Sequence, residues 1–448
     1  MKILLAACLS FLMLYSSAQF SVSSNKRFLL KDGKPFFWLG DTGWELFHRL
    51  NSTEAEKYLH RRSEQGFTVI QAVALAEMDG LHTPNANGDT PLINDDPSKP
   101  NEKYFLFVDT VIDMAASYNI NIALLPTWGD KIFKDRWGIG PEIFNEQNAA
   151  VYAQWLARRY KNKKNIIWIL GGDRIPRNET DKNIWRAMGR AIKKETDNKA
   201  IISFHPQPNT LGSAEYFPKE VWIDFHMFQT GHCRDANVYD KIQLVYNMQP
   251  AKPVMDAEPI YEDHPVCFNA KDLGTSNSLD VRRSAYLDLF SGAFGHTYGC
   301  HDIWQMYSAK REGINGPHVY WQEAMDLPGA NQMKYVRRLM EAFPLLERIP
   351  DQSLIEEKNN AAAERIQATR GDDYLMVYST AGKPFTVNLQ KIKGASLKGF
   401  WYNPRTGEQT VIDAIANTGS KKFTPPASNY GQDWVLVLFD AAKNYDVK

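Results

Sequence analysis

Two short apolar runs each end in a carboxylate: Ile166-Ile167-Trp168-Ile169-Leu170-Gly171-Gly172-Asp173 and Pro253-Val254-Met255-Asp256-Ala257-Glu258. A pair of carboxyl groups delivered by two buried strands is what cleavage of a glycosidic bond requires. One must hold a proton for the leaving oxygen, and the other must stay ionised to attack or to activate water. Asp173 follows two glycines, which permit a tight strand exit and close approach of backbone to a ligand. Glu258 precedes Pro259, which fixes the chain just beyond it. The competing reading makes each a buried carboxylate paired with arginine, with Arg174 and Arg177 as partners for Asp173. Asp256 lies two residues before Glu258 and is expected on the same face, as a network member that orients a neighbour.

Two such groups need strands to bring them together. Apolar runs recur at Phe36–Gly40, Phe67–Leu75, Ile120–Thr127, Ile166–Leu170, Ala200–Phe204, Val221–Phe225, Pro253–Asp256 and Phe294–Tyr298. They are short, rich in Ile, Val, Phe and Trp, and mostly not alternating, which fits strands buried on both faces of a parallel sheet. Between them lie helical patterns. Thr53 and Glu56 read as a capping pair opening a helix that stops near Gly66. Phe105, Val108, Ile112 and Ala115 share a helical face, as do Ala153, Leu156, Ala157 and Tyr160. Eight strand–helix units, closing with a helix at Met333–Phe343, count out a (β/α)₈ TIM barrel in an α/β chain. A doubly wound open sheet is the alternative, but no Gly-rich phosphate loop follows the first strand.

In a barrel, strand C-terminal ends line the active site. Here those ends carry Asp41, Glu77 or Asp79, Trp128, Asp173, His205, His226, Glu258 and His296. Seven of these eight places offer a polar or ionisable group, which a buried bottom face would have to desolvate without benefit. The fourth and seventh strands stand nearly opposite, so Asp173 and Glu258 are the expected catalytic pair. Asp41, Trp44, Trp128, His205, His226, Gln229, His296, Tyr298 and Trp304 are the expected substrate-binding residues. His205, His226, His232, His296 and His301 also allow a metal reading. A metal-dependent hydrolase on this barrel would show His-x-His after the first strand, where this chain has Leu39-Gly40-Asp41-Thr42-Gly43-Trp44, so neither metal nor cofactor is expected. Trp38, Trp44, Trp128 and Trp137 stand near strand ends as stacking platforms, whereas Trp155 and Trp185 fall within helices as packing residues. The segment from Glu77 to Pro100 is too long for an ordinary βα loop and is a candidate substrate flap.

After Pro350 the pattern changes to short alternating segments, Tyr374–Ser379, Phe385–Leu389, Leu397–Tyr402 and Trp434–Phe439, separated by turn signals. The expected organisation is therefore a targeting segment at 1–18, a barrel at 19–350 and a small antiparallel β-sandwich at 351–448. The targeting segment combines Lys2, the apolar Ile3 to Tyr15 and Ser16-Ser17-Ala18 as a cleavage site, and implies export to the periplasm or outside the cell. Leu5-Ala6-Ala7-Cys8 resembles a lipoprotein box, but the apolar core continues past it. The remaining Cys233, Cys267 and Cys300 allow at most one internal disulfide, and their spacing does not suggest zinc. Lys plus Arg equals Asp plus Glu at 52 each in 448 residues, which argues against a nucleic-acid partner. The 12 Trp and 20 Tyr exceed what packing alone suggests and suit sugar recognition. The expected partner is an oligo- or polysaccharide, with no membrane span; the oligomeric state stays open.

The runs Phe36-Phe37-Trp38-Leu39-Gly40-Asp41-Thr42-Gly43-Trp44-Glu45-Leu46-Phe47, Trp168-Ile169-Leu170-Gly171-Gly172-Asp173 and Asp256-Ala257-Glu258-Pro259 resemble the apiosidase-like glycoside hydrolases, family 140 and its relatives, also called endoglucanases. The tail resembles the "collagen-binding domain of a collagenase" module, a label that describes a sandwich. The resemblance implies a retaining mechanism with Asp173 as acid/base and Glu258 as nucleophile, in a secreted bacterial enzyme acting on plant pectin side chains. Most related barrel glycosidases place a glutamate after an asparagine as the acid; this chain has Gly172-Asp173 there, and the shorter aspartate requires its strand to reach further in. Two alternatives remain: an endo-glucanase or xylanase with the same two catalysts, and a non-catalytic carbohydrate-binding protein.

Overall fold

The computed structural model describes residues 20–358 and 361–447; the targeting segment read at 1–18 lies outside them. Eight parallel strands form the barrel: β1 (Trp38–Thr42), β2 (Val69–Val73), β3 (Asn121–Leu125), β4 (Ile166–Gly171), β5 (Ile202–His205), β6 (His226–Gln229), β7 (Val254–Glu258) and β8 (Gly295–Tyr298). Ladder hydrogen bonds run β5-β4-β3-β2-β1-β8 and, separately, β6-β7. Two backbone bonds join these arcs: Asp224 N donates to Ile202 O at 2.9 Å, and Phe294 N donates to Val254 O at 3.0 Å. Every residue of these strands is buried, as expected when side chains fill the inside and helices cover the outside.

The helices follow in order: α1 (Ser52–Glu64), α2 (Glu102–Ser117), α3 (Glu146–Tyr160), α4 (Glu179–Glu195), the single turn α5 (Ser213–Tyr216), α6 (Val238–Tyr246), α7 (Ser278–Phe290) and α8 (Pro328–Glu341). The cap of α1 is Asn51 with Glu54, a reciprocal capping box, two residues earlier than the expected Thr53 and Glu56. The sixth strand also differs from the expected Val221–Phe225 and begins at His226. In the approach to it, Val221 points into solvent while Trp222 packs against Gly189 of α4. A three-stranded sheet, Phe20–Val22, Leu29–Lys31 and Lys34–Phe36, leans on the N-terminal end of β3, where Lys31 Nζ donates to Asn121 Oδ1 at 2.8 Å.

The C-terminal unit contains β9 (Ile349–Pro350), β10 (Ile366–Arg370), β11 (Tyr374–Ser379), β12 (Phe385–Asn388), β13 (Ser396–Tyr402), β14 (Gln409–Ala416), β15 (Ser420–Phe423) and β16 (Trp434–Asp440). Six of these pair antiparallel in the order β9-β10-β11-β16-β13-β14, and the antiparallel pair of β12 and β15 covers one face around Phe385, Val387, Leu436 and Leu438. The other face packs on α7, with the Tyr286 and Tyr378 rings stacked at 4.8 Å. Covered on both sides, α7 has no solvent face: residues 279–290 are all buried. Its charges therefore need partners. Arg282 meets Asp433 through bonds of 2.7 and 2.8 Å, and Asp433 also accepts from Tyr378 and Arg405. Among the described residues no helix is long and apolar enough to cross a membrane.

Candidate active site

The end of β4 turns through three consecutive residues of positive φ: Gly171 at +88°, Gly172 at +121° and Asp173 at +52°. A Cβ on Gly171 would stand 2.1 Å from the His205 carbonyl oxygen, and one on Gly172 would stand 2.7 Å from the Trp128 ring. Both glycines are thus required by close approach as well as by φ. The left-handed conformation of Asp173 costs an L-residue about 1–2 kcal/mol, and it swings the carboxyl over the barrel mouth. Its Oδ1 accepts from Gln229 Nε2 at 3.0 Å and its Oδ2 from Trp137 Nε1 at 3.0 Å. Arg174 approaches Oδ2 at 3.4 Å but also donates to the carbonyls of Phe133, Lys134 and Asp173. Arg177 turns away to Asp181 and Glu142. Neither arginine therefore makes a dedicated pair with Asp173. Burial first, then the charge of Glu258, push the Asp173 carboxyl up to about 7 against the pull of Arg174, His205 and Trp137.

Glu258 reaches the same point from β7 by a break in register. Gln229 pairs with Glu258 although Phe228 pairs with Asp256, a β-bulge at Ala257. The expected alternation fails there: Asp256 accepts from the backbone of Glu258 and Thr230 and from the Thr230 hydroxyl, while Glu258 turns into the cavity. A bulge re-aims a side chain in this way at many sites. Across the barrel, Gln71 Nε2 holds the freed Ala257 carbonyl at 2.9 Å. Glu258 Oε1 accepts from Tyr261 at 2.6 Å and Oε2 from Gln229 Nε2 at 3.3 Å. His205 Nε2 stands 3.2 Å from Oε2 and His232 Nε2 stands 3.7 Å from Oε1. Burial opposes the charge of Glu258, yet His205, His232 and Tyr261 outweigh it and hold the carboxyl below its ordinary range. Two carboxyl groups bonded to one amide nitrogen are therefore driven apart in acidity, one toward the protonated form and one toward the ionised form.

Both line a cavity of about 460 Å³ with Trp44, Glu77, Trp128, Trp137, Gln229, Tyr261, Phe268 and Trp304. The Trp44 indole donates to the Tyr261 hydroxyl at 3.0 Å and lies 5.2 Å from the Trp128 ring, so these aromatics form one wall. Glu77 is half-buried; burial and the charges of Asp173 and Asp130 push its carboxyl well above the usual range. It is the one residue of the expected 77–100 flap that lines this cavity.

Of the expected binding residues, Trp44, Trp128, Gln229 and Trp304 line the cavity, and His205 stands behind Glu258, fully buried. Four others point elsewhere. Asp41 lies inside β1 and faces α1, bonded to Arg62 and Tyr58. Tyr298, its register partner, faces the same layer and donates to Glu262 at 2.7 Å. His296 contacts Asp288 of α7 at 2.6 Å. His226 opens β6 at the far end, 3.0 Å from the Ser213 hydroxyl, and burial depresses its pKa to about 3. Tyr261, His264 and Phe268 line the cavity from the loop after β7; the proximity of Tyr261 to Glu258 in sequence was the only signal for this group. Among the described residues no group of three or more His, Cys, Asp or Glu is arranged to hold a metal ion. Cys233 and Cys267 form a disulfide, and Cys300 is free and buried.

The chain as a whole resembles known proteins. The sequence family described as "Apiosidase-like, catalytic domain" matches residues 23–347. The chain belongs to the apiosidase-like family. A second family, "collagen-binding domain of a collagenase", matches residues 349–439. Among solved structures, a glycoside hydrolase family 5 protein from Bacteroides vulgatus is similar to this apiosidase-like chain at 35% identity, over 96% of this chain and 94% of that one, with a TM-score of 0.88. Another, described as a glycoside hydrolase, shares 36% identity over 96% and 99% of the two chains, again with a TM-score of 0.88. No curated protein matches this sequence. The apiosidase-like chain is an enzyme, a glycoside hydrolase, and its substrate is a carbohydrate.

Proposed function

We propose that this enzyme is an exported, retaining glycoside hydrolase that removes neutral sugars from plant cell-wall polysaccharide, most directly the side chains of pectin. The observation that carries the mechanism is the shared amide of Gln229. Bonds of 3.0 and 3.3 Å to one nitrogen bring an oxygen of Asp173 within about 6 Å of one of Glu258, which supports the short spacing of roughly 5–5.5 Å of a retaining enzyme over the roughly 6.5–9.5 Å that an inverting enzyme leaves for water. Glu258, held ionised, attacks the anomeric carbon, and Asp173, held protonated, gives its proton to the leaving oxygen. Asp173 then takes a proton from the water that hydrolyses the glycosyl-enzyme.

The lining of the cavity supports a neutral sugar at the cleaved position. It carries three carboxyl groups and, among the described residues, no lysine or arginine, so a uronate would bring another negative charge with nothing to meet it. That favours side chains over the acidic backbone of pectin. Export is supported by the sequence of residues 1–18 and by the Cys233–Cys267 disulfide, since such bonds persist mainly in oxidising compartments.

The test is digestion of pectic, xylan and β-glucan polysaccharides, with mass analysis of products and proton NMR of the first anomer released. Release of a neutral sugar from the pectic substrate with retained configuration is expected. An inverted first anomer overturns the retaining mechanism, and release from xylan or glucan alone overturns the pectic assignment.

A further inference from the structure

The loop after β7 holds a large apolar side chain in an unfavourable place. Phe268 is 63% exposed at the cavity mouth. It and Cys267 both have left-handed backbones, at φ +60° and +51°, each costing an L-residue about 1–2 kcal/mol. A turn of this shape would form more readily with glycine, so the retained phenyl ring calls for a reason of its own. The loop is also pinned. Cys267 is bridged to Cys233 of the loop after β6, and Cys267 N donates to His232 O at 2.8 Å. His232, next to that bridge, is the residue 3.7 Å from Glu258. The ring of Phe268 stands edge-on to His264 at 4.9 Å and to His232 at 5.7 Å, and those two imidazoles lie 4.0 Å apart. Burial lowers the pKa values of both imidazoles.

We infer that Phe268 is a specificity-determining platform on which a sugar ring adjoining the cleaved one stacks, held open by the Cys233–Cys267 bridge. The inference rests on the glycosidase reading above. Phe268 stands on the Glu258 side of the mouth and the half-exposed Trp137, bonded to Asp173, on the other. A substrate longer than one sugar that crosses the two carboxyl groups therefore meets an aromatic face on each side. The bridge does two things at once: it sets His232 against the nucleophile and sets the phenyl ring beside the sugar path. Without it, the loop can relax from its two left-handed residues and withdraw the ring.

The experiment uses the full chain carrying Glu258→Gln, so that polysaccharide is bound but not consumed, and measures retardation in native gels containing citrus pectin, arabinoxylan, β-glucan or galactomannan. On the polysaccharide that retards this parent, Phe268→Ala is expected to raise the dissociation constant about tenfold, or 1.4 kcal/mol, while Phe268→Trp stays within about threefold of the parent. Cys233→Ser with Cys267→Ser should weaken binding to a similar extent, and adding Phe268→Ala to that pair should cost little more, because both changes remove the same platform. Melting temperatures confirm that each variant is folded, and the Phe268 pair keeps the test available if the cysteine variant is not. Unchanged binding by Phe268→Ala, or equal loss in the Ala and Trp variants, overturns the platform alone. A parent that no gel retards overturns it together with the functional reading.

Discussion

Replacing Glu258 by Gln should do more than stop turnover: it should make Asp173 a stronger acid. The two carboxyl groups share Gln229 Nε2, and Asp173 owes part of its raised pKa to the negative charge of Glu258. At a separation of about 6 Å, the upper limit set by those two bonds, and an effective dielectric constant near 20, one charge contributes about 2.8 kcal/mol, roughly a hundredfold in the acid dissociation constant. The Asp173 side chain is 22% exposed, so solvent screens this only in part. The assay is ¹³C NMR titration of protein labelled at the aspartate carboxyl carbons, with Asp173→Asn identifying the resonance. In the Glu258→Gln protein the Asp173 midpoint should fall from about 7 by roughly two pH units. In the proposed mechanism the same neutralisation would occur when a sugar is attached to Glu258, turning the acid of the first step into the base of the second. A midpoint that stays in place would refute the reasoning, since burial alone would then be holding the proton on Asp173.

Asp173→Ala should slow substrates with poor leaving groups by about a thousandfold while sparing activated aryl glycosides in the first step, with azide restoring part of the turnover; equal loss on both substrates without rescue would move the proton donor elsewhere. In the proposed mechanism Asp173 acts in its protonated form and its pKa is raised to about 7, so kcat/KM should fall as pH rises through that value. Burial and the charges of Asp173 and Asp130 push the Glu77 carboxyl well above its usual range, and Glu77→Gln should accordingly leave this alkaline limb in place; a limb displaced downward would show that Glu77 is ionised there. Gly172→Ala places a methyl group 2.7 Å from the Trp128 ring at a φ of +121°. It should lower kcat roughly a hundredfold by displacing Asp173 and destabilise the fold by about 1–3 kcal/mol, measured by kinetics and by denaturant unfolding.

The barrel was legible because each buried strand is a compact apolar run and the helices between them keep their 3.6-residue stripe. The meeting of Asp173 and Glu258 in one cavity was legible for a related reason: both are polar groups abutting such runs, and Gly171-Gly172 announced a close approach. What sequence could not supply was the phase of each strand. A strand buried on both faces has no apolar–polar alternation to say which residues point inward. Asp41, His296 and Tyr298 were placed at the mouth on that missing information, and all three face the helix layer. At Glu258 the phase is reset by the bulge at Ala257, which depends on contacts from Thr230 and Gln71, distant in sequence. His226 was misplaced because Trp222, Ile223 and Phe225 are as apolar as a strand yet lie before it. Phe268 and His264 depend on a disulfide whose pairing three cysteines leave open.

The buried contact between α7 and the C-terminal sheet bears on how this enzyme would meet a polysaccharide surface. Arg282, 2% exposed, has its anion in Asp433 across the boundary, and Tyr286 and Phe290 lie against Tyr378. A chain ended after Pro350 would take the anion away from that guanidinium and open an aromatic face to water. The tail is therefore not a portable accessory on a leash. It adds no searching radius and no second, independently moving grip of the kind that raises local concentration through a flexible linker. Whatever the sheet touches, the cavity is carried with it at a fixed distance and angle, so the pair would read a surface as one stamp.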